Sequence, residues 1–293
     1  MNALLKALAL IAGISSLLPS ADASAAESPT ARGPGPALAF VIAGEWRLSK
    51  DKERDAYRHP AEALNFWGLM PGMAILEIQP GAGAWWTDIL APYAHRTGGQ
   101  YAATAADLAN PKLSESARTA RKAFEAKLAA KPEVYGRVEL VNWGPKSAPL
   151  PANQFDFILT ARSVHGWMDP DGGIVDKVFS EFYRALRPGG ILALEQHRAN
   201  PGPQDPDAPT GYVTESFVIE KAKKAGFELE AKSEINANPK DTKDHPFGVW
   251  TLSPTRTSVP YGEGLPPDPN FDHSNFDAIG ESDRMTLKFH KPG

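Results

Sequence analysis

The chain has 293 residues, 42% apolar and 23% charged, enough for one large or two small soluble globular domains. A formal net charge of -4 leaves no basic excess for nucleic acid or an anionic membrane surface. The absence of cysteine excludes disulfides, a thiol nucleophile and any cysteine-ligated metal.

The N-terminus has one early lysine, an apolar run from Ala7 to Leu18, and then small residues. Ala23-Ser24-Ala25 offers an A-x-A cleavage site, with Ala21-Asp22-Ala23 as a second choice. The run is too short, and too broken by Ser15, Ser16 and Pro19, to span a bilayer. Residues 1–25 are therefore expected to be a cleaved signal peptide. Residues 26–293 are expected to be one periplasmic or secreted domain with no stable membrane insertion, its first residues loose up to Pro36.

From Ala37 to Trp67 the apolar spacing predicts two helices broken near His59-Pro60. Pro71-Gly72 is a turn, and the nearly all-apolar Met73–Ile78 suits a strand buried on both faces. A helix is expected over Trp85–Tyr93, a second strand over Gln100–Ala105 and a charged helix over Leu113–Ala130. Strands follow at Val138–Trp143 and Phe155–Thr160. Next come a helix at Ile174–Leu186, a strand at Ile191–Glu195, a helix at Val213–Ala225 and strands at Phe227–Ile235 and Met285–Phe289. This alternation predicts an α/β fold, a mostly parallel sheet with helices on both faces. The pattern is lost from Asn236 to Arg284, a long strap that is either a functional lid or an insertion covering a sheet edge.

Open parallel sheets bind ligands beyond the carboxyl ends of their strands. Glu77 and Gly81-Ala82-Gly83 follow the first strand, and Asn142 and Trp143 close the third. Arg162, His165 and Trp167 follow the fourth, and Glu195 and His197 lie at the fifth. Each has a plain alternative. Gly-x-Gly serves tight turns, Glu77 could cap a turn, and Trp143 is either core or a stacking surface for a purine. His165 is either structural or a proton acceptor. Glu195 and His197, two apart on an extended segment, are either an acid/base pair or a salt-bridged strand end. Arg58 and His59 could reach over the rim from the helical lead-in.

Three segments in this order resemble the class I S-adenosylmethionine-dependent methyltransferases: GMAILEIQPGAG, FDFILTARSVHGW and FSEFYRALRPGGILALE. The most specific part is Phe182, Arg184, Leu186 and Pro188-Gly189-Gly190. The resemblance runs from about Gly72 to Ile235, with DRMTLKFHK as an antiparallel last strand, and so implies a Rossmann-like sheet. RDAYRHPAEALNFWGLMPGM, DILAPY, VHGWM and EINANPKDTKDHPFGVWTL are further similar to a group of exported predicted methyltransferases found in bacteria. The resemblance implies that Gly81 and Gly83 approach the amino-acid part of S-adenosylmethionine and that Glu77 orients the loop or binds the ammonium. Asn142 and Trp143 would flank the adenine, and Arg162 to Trp167 would border the acceptor pocket. Gln79 replaces the usual first glycine of the loop. The acid expected for the ribose after the second strand is replaced by Ala105, with Asp107 two residues late. His165 is the first choice for a base, followed by Glu195 and His197, and no metal is required.

The leading expectation is methyl transfer to a small-molecule acceptor. The alternative is an exported Rossmann-like binding protein that has lost this activity, a reading favoured by Gln79 and Ala105. A cofactor-independent hydrolase stands third, because no nucleophile-elbow serine is present.

Overall fold

The computed structural model describes residues 35–144, 147–169 and 173–293, so the expected signal peptide lies outside the described residues. The strands are β1 (Ala74–Ile78), β2 (Gln100–Ala105), β3 (Val138–Asn142), β4 (Phe155–Ala161), β5 (Leu186–His197), β6 (Glu228–Ser233) and β7 (Arg284–His290). They form one sheet in the order β3-β2-β1-β4-β5-β7-β6. Strands β1 to β5 pair in parallel, and β7 runs antiparallel to both β5 and β6. The Rossmann-like sheet expected from the sequence, with its antiparallel last strand, is the sheet observed. Strand order reverses between β1 and β4, which puts the ligand crevice of such a sheet at their carboxyl ends.

The helices are α1 (Pro36–Ala43), α2 (Ser49–Lys52), α3 (Asp55–Arg58), α4 (Pro60–Trp67), α5 (Thr87–Thr97), α6 (Glu115–Ala129), α7 (Pro132–Tyr135), α8 (Gly173–Ala185), α9 (Glu215–Ala225) and α10 (Ser274–Ile279). Two apolar layers cover the sheet. Leu38, Leu64, Trp67 and Ile89 pack on one face with Ile75, Phe157 and Ala193. Phe179, Phe182 and Val218 pack on the other with Leu76, Ile158 and Leu194. All five residues of β1 are buried, because a central parallel strand is covered on both faces.

The N-terminal lead-in differs from expectation, with four short helices where two were predicted. His59 takes φ 42 between α3 and α4, and Pro60 can start a helix but cannot continue one. Strand β5 also starts earlier than expected. Leu186 pairs with Phe155, while Gly189 N–H donates to the Lys291 carbonyl and Lys291 N–H to that of Gly190.

The strap contains a 3-10 turn at Gly248–Thr251 and α10 but is otherwise irregular. Buried Asp241 bolts it down, accepting from Tyr212 Oη at 2.9 Å, His245 Nε2 at 2.8 Å and Asp283 N–H at 2.7 Å. It packs on the rim of β5 and β7, where a buried carboxylate with several donors is a stable arrangement. No helix among the described residues is long and apolar enough to cross a membrane.

Candidate active site

The loop after β1 turns sharply: Gln79, Gly81 and Ala84 all take positive φ, at 49, 71 and 47°. Gln79 holds a conformation that favours glycine. Its N–H donates to Thr104 Oγ1 at 2.7 Å, and its side-chain carbonyl accepts from Trp167 Nε1 at 3.1 Å. A Cβ added to Gly81 or Gly83 would meet nothing within 4 Å, so the backbone there faces open space.

Gly81 opens onto a cavity of about 370 Å³, within the size range of small-molecule sites. Gln79, Gly81, Thr104, Ala105 and Trp143 line its sheet side, and Ala117, Ala120 and Phe124 of α6 form its outer wall. Basic side chains fasten α6. Arg121 Nη1 donates to the Ala106 carbonyl at 3.0 Å and to Asn142 Oδ1 at 2.8 Å, and Lys127 pairs with Asp88 at 2.8 Å. Trp143 is buried, with Nε1 on Glu181 at 2.6 Å and its ring edge-on to Trp167. The ring is thus both core and cavity wall.

Among the expected cofactor residues, Gln79, Gly81 and Trp143 line this cavity, and Gly83 lies on the same open loop. Asn142 is committed to Arg121. Asp107 accepts from Ala109 N–H at 2.9 Å within its own turn, which leaves Ala105 and Ala106 at the wall. Glu77 is buried beneath the loop, accepting from Thr87 Oγ1 at 2.9 Å and Tyr101 Oη at 2.5 Å. Burial pushes its carboxyl up to about 7 against those two hydrogen bonds.

Arg162, His165, Glu195 and His197 gather on the other side of the switch point, at the ends of β4 and β5. The His165 and His197 rings lie 5.6 Å apart. Gln196 fixes the His165 tautomer: its Oε1 accepts from Val164 N–H, so its Nε2 donates to His165 Nδ1 at 3.1 Å. The proton of the neutral ring then sits on Nε2. Burial lowers the His165 pKa to about 4. Neutral His165 therefore offers its Nε2 proton as a hydrogen-bond donor near neutral pH. Glu195 pairs with Arg284 at 2.9 Å and His197 with Ser282 Oγ at 2.6 Å. These contacts tie the end of β5 to β7 and to the residues that lead into it. Burial, then the His165 and Arg162 charges, push His197 well below the usual histidine range.

The sequence did not single out Arg121, Lys127 or the apolar face of α6, nor Arg54, Glu281 and Arg284. The signal that could have marked α6 is the recurrence of Ala117, Ala120 and Ala123 at three-residue spacing. Among the described residues no group of three or more histidine or acidic side chains is placed to hold a metal ion.

Residues 76–194 match the family model described as a methyltransferase domain. No curated protein matches the sequence. Among solved structures, a protein described as a sarcosine dimethylglycine methyltransferase from Galdieria sulphuraria is 16% identical, with 83% of this chain and 88% of that one covered and a TM-score of 0.51. The cyclase SpnF is 17% identical over 85% and 84%, with a TM-score of 0.50. A SAM-dependent methyltransferase from Aquifex aeolicus is 23% identical over 64% and 92%, at 0.46. Residues 76–194 are thus similar to a methyltransferase domain, and the chain shares the Rossmann-like fold of these solved structures.

Proposed function

We propose that this chain is a S-adenosylmethionine-dependent methyltransferase acting on a small molecule. The observation that carries the reading is the bare backbone of Gly81 beside a cavity at the carboxyl ends of β1 and β2, with Gly83 on the same exposed loop. The residues present fit an adenosyl group. Ala105, Ala106, Phe124 and Trp143 offer an apolar slot, and the Gly81 loop admits close approach of a polar tail. The missing acid at Ala105 removes a charge-assisted ribose contact worth roughly 1.5–3 kcal/mol, which weakens affinity without closing the slot.

The cofactor, when bound, supplies an activated methyl group. The chain's own residues then orient and enclose. Gly81 and Gly83 set the approach on one side, and the α6 wall keeps water from the other. Neutral His165, with its proton on Nε2, can donate to an acceptor oxygen or nitrogen and so fix its orientation. The gene product is further read as exported, on the strength of the apolar run and A-x-A site at residues 1–25.

A second reading, a binding protein on the same fold, draws on Ala105 and on the Gln79–Trp167 bond across the rim. A methyltransferase-like fold does not by itself fix the reaction. Thermal unfolding with S-adenosylmethionine and S-adenosylhomocysteine separates the two. A ligand at a hundred times its dissociation constant adds about 2.7 kcal/mol, and no shift with either compound favours the second reading. Fusing residues 1–30 to an export reporter tests the compartment, and a reporter retained in the cytosol contradicts export.

A further inference from the structure

Across the switch point from the cavity, four guanidiniums meet two carboxylates. Arg54 and Arg58 donate through Nε to Glu281 at 2.6 and 3.0 Å. Arg284 Nη1 donates to Glu195 at 2.9 Å and to Glu281 at 3.1 Å. Arg162, at the end of β4, is the fourth. Its backbone holds φ 57, and its N–H is pinned to the Glu195 carbonyl at 2.7 Å. A left-handed arginine costs on the order of 1–3 kcal/mol and persists where the surroundings enforce it, commonly at ligand sites. Its guanidinium has no hydrogen bond or ion pair among the described residues.

Two further donors in the cluster lack partners. Arg58 and Arg284 are 2% and 1% exposed, yet Arg58 Nη1 and Arg284 Nε have no hydrogen bond. Buried donors without partners are rare and require an explanation such as a ligand. Positive charge also exceeds negative here. Burial pulls Arg58 well below the usual arginine range, and the Arg162 charge pulls the same way. Arginine stays protonated in proteins, so the cluster holds an excess of positive charge that an added anion would offset. Burial pushes the Glu281 carboxyl up, but Arg58, Arg284 and Arg54 more than offset it and hold it at about 2. Arg58 also stacks 4.8 Å over Trp85, two residues beyond Gly83, which ties the cluster to the glycine loop.

We propose that Arg162, with Arg58 and Arg284, forms a binding site for a ligand carboxylate. A planar carboxylate matches the guanidinium fork. A phosphate dianion fits less well, because the buried and unpartnered Glu195 Oε2 repels a double negative charge more strongly than the single charge of a carboxylate. The carboxylate is that of the methyl acceptor, because the cluster lies across the switch point from the cavity that the cofactor would fill. The inference deepens the methyltransferase reading but stands on the cluster alone.

The test is calorimetric titration of the full chain with propionate and benzoate, set against propionamide and benzamide. Titrations run with and without S-adenosylhomocysteine, on the wild type and on Arg162→Gln and Arg162→Lys. Arg162 makes no side-chain hydrogen bond, so its substitution should leave the melting midpoint in place. The acids should bind at least about tenfold tighter than their amides, as expected of a charge-assisted contact. Arg162→Gln should remove that margin, and Arg162→Lys should restore it only in part. If the site holds the acceptor, acids bind equally well beside S-adenosylhomocysteine. Acids excluded by S-adenosylhomocysteine would place the cofactor's own tail there and overturn the proposal. Acids no tighter than their amides likewise overturn it. Acid binding in a protein that ignores S-adenosylhomocysteine would sink the methyltransferase reading and leave this one standing.

Discussion

Trp167 Nε1 donates to Gln79 Oε1 at 3.1 Å, so one side-chain hydrogen bond joins the loop after β1 to the loop after β4 across the switch point. Gln79 holds φ 49 while making it. Two terms of opposite sign therefore meet at this residue. Gln79→Gly removes left-handed strain of about 1 kcal/mol and also a hydrogen bond of similar size. Chemical denaturation should show a net change within about 1 kcal/mol. A loss well beyond that would mean that the bond organises the rim cooperatively.

Ala105 stands at the end of β2 on the cavity wall, where an acid would reach a ribose. Ala105→Asp should tighten S-adenosylhomocysteine binding by roughly tenfold, measured by calorimetry. Unchanged affinity would show that the ribose does not lie at that strand end.

Glu77 gives a pH signature. Its pKa rises from 4.5 to about 7 on folding, because burial disfavours its charged form. The folded chain then holds the proton more tightly than the unfolded chain, so stability falls as pH rises from 4.5 to about 7. The loss is on the order of 3 kcal/mol over that window, from the free energy equivalent of each pKa unit. In Glu77→Gln this loss should be absent, and parallel melts at the two pH values check it. Glu281 acts with the opposite sign in a different window. Its stabilisation is present above pH 4.5 and lost as pH falls towards 2.

His165 should stay neutral through the physiological range, because its pKa lies near 4. Carbon-bound ring proton resonances of His165 and His197, followed by NMR from about pH 5.5 to 8, should stay flat. A midpoint near the ordinary histidine value in either ring would return it to candidacy as a base. Folding stability carries the matching sign: the His165 contribution is lost as pH falls from 6.5 towards 4.

The strands could be read from the sequence because parallel strands buried on both faces leave apolar runs, and β1 has all five residues buried. The glycine loop was legible for the same reason, since it must follow such a run. The guanidinium cluster was not. Arg54 and Glu281 meet across 227 positions of sequence, and no periodicity or spacing marks such a pair. The tautomer of His165 was also hidden, because Gln196 sets it from the neighbouring strand. The outer wall of the cavity escaped notice too. The exposed flank of α6 reads as an ordinary charged helix until Arg121 and Lys127 are seen anchoring it to the rim.

The most direct test of the account is calorimetric titration of S-adenosylhomocysteine into the wild type and into Gly83→Leu. A Cβ at Gly83 would meet nothing within 4 Å on this exposed loop, so the variant should melt close to the wild type. The account predicts saturable binding to the wild type and at least a tenfold loss in Gly83→Leu, roughly the effect of blocking one good contact. No binding to the wild type, or equal binding to both, would contradict it.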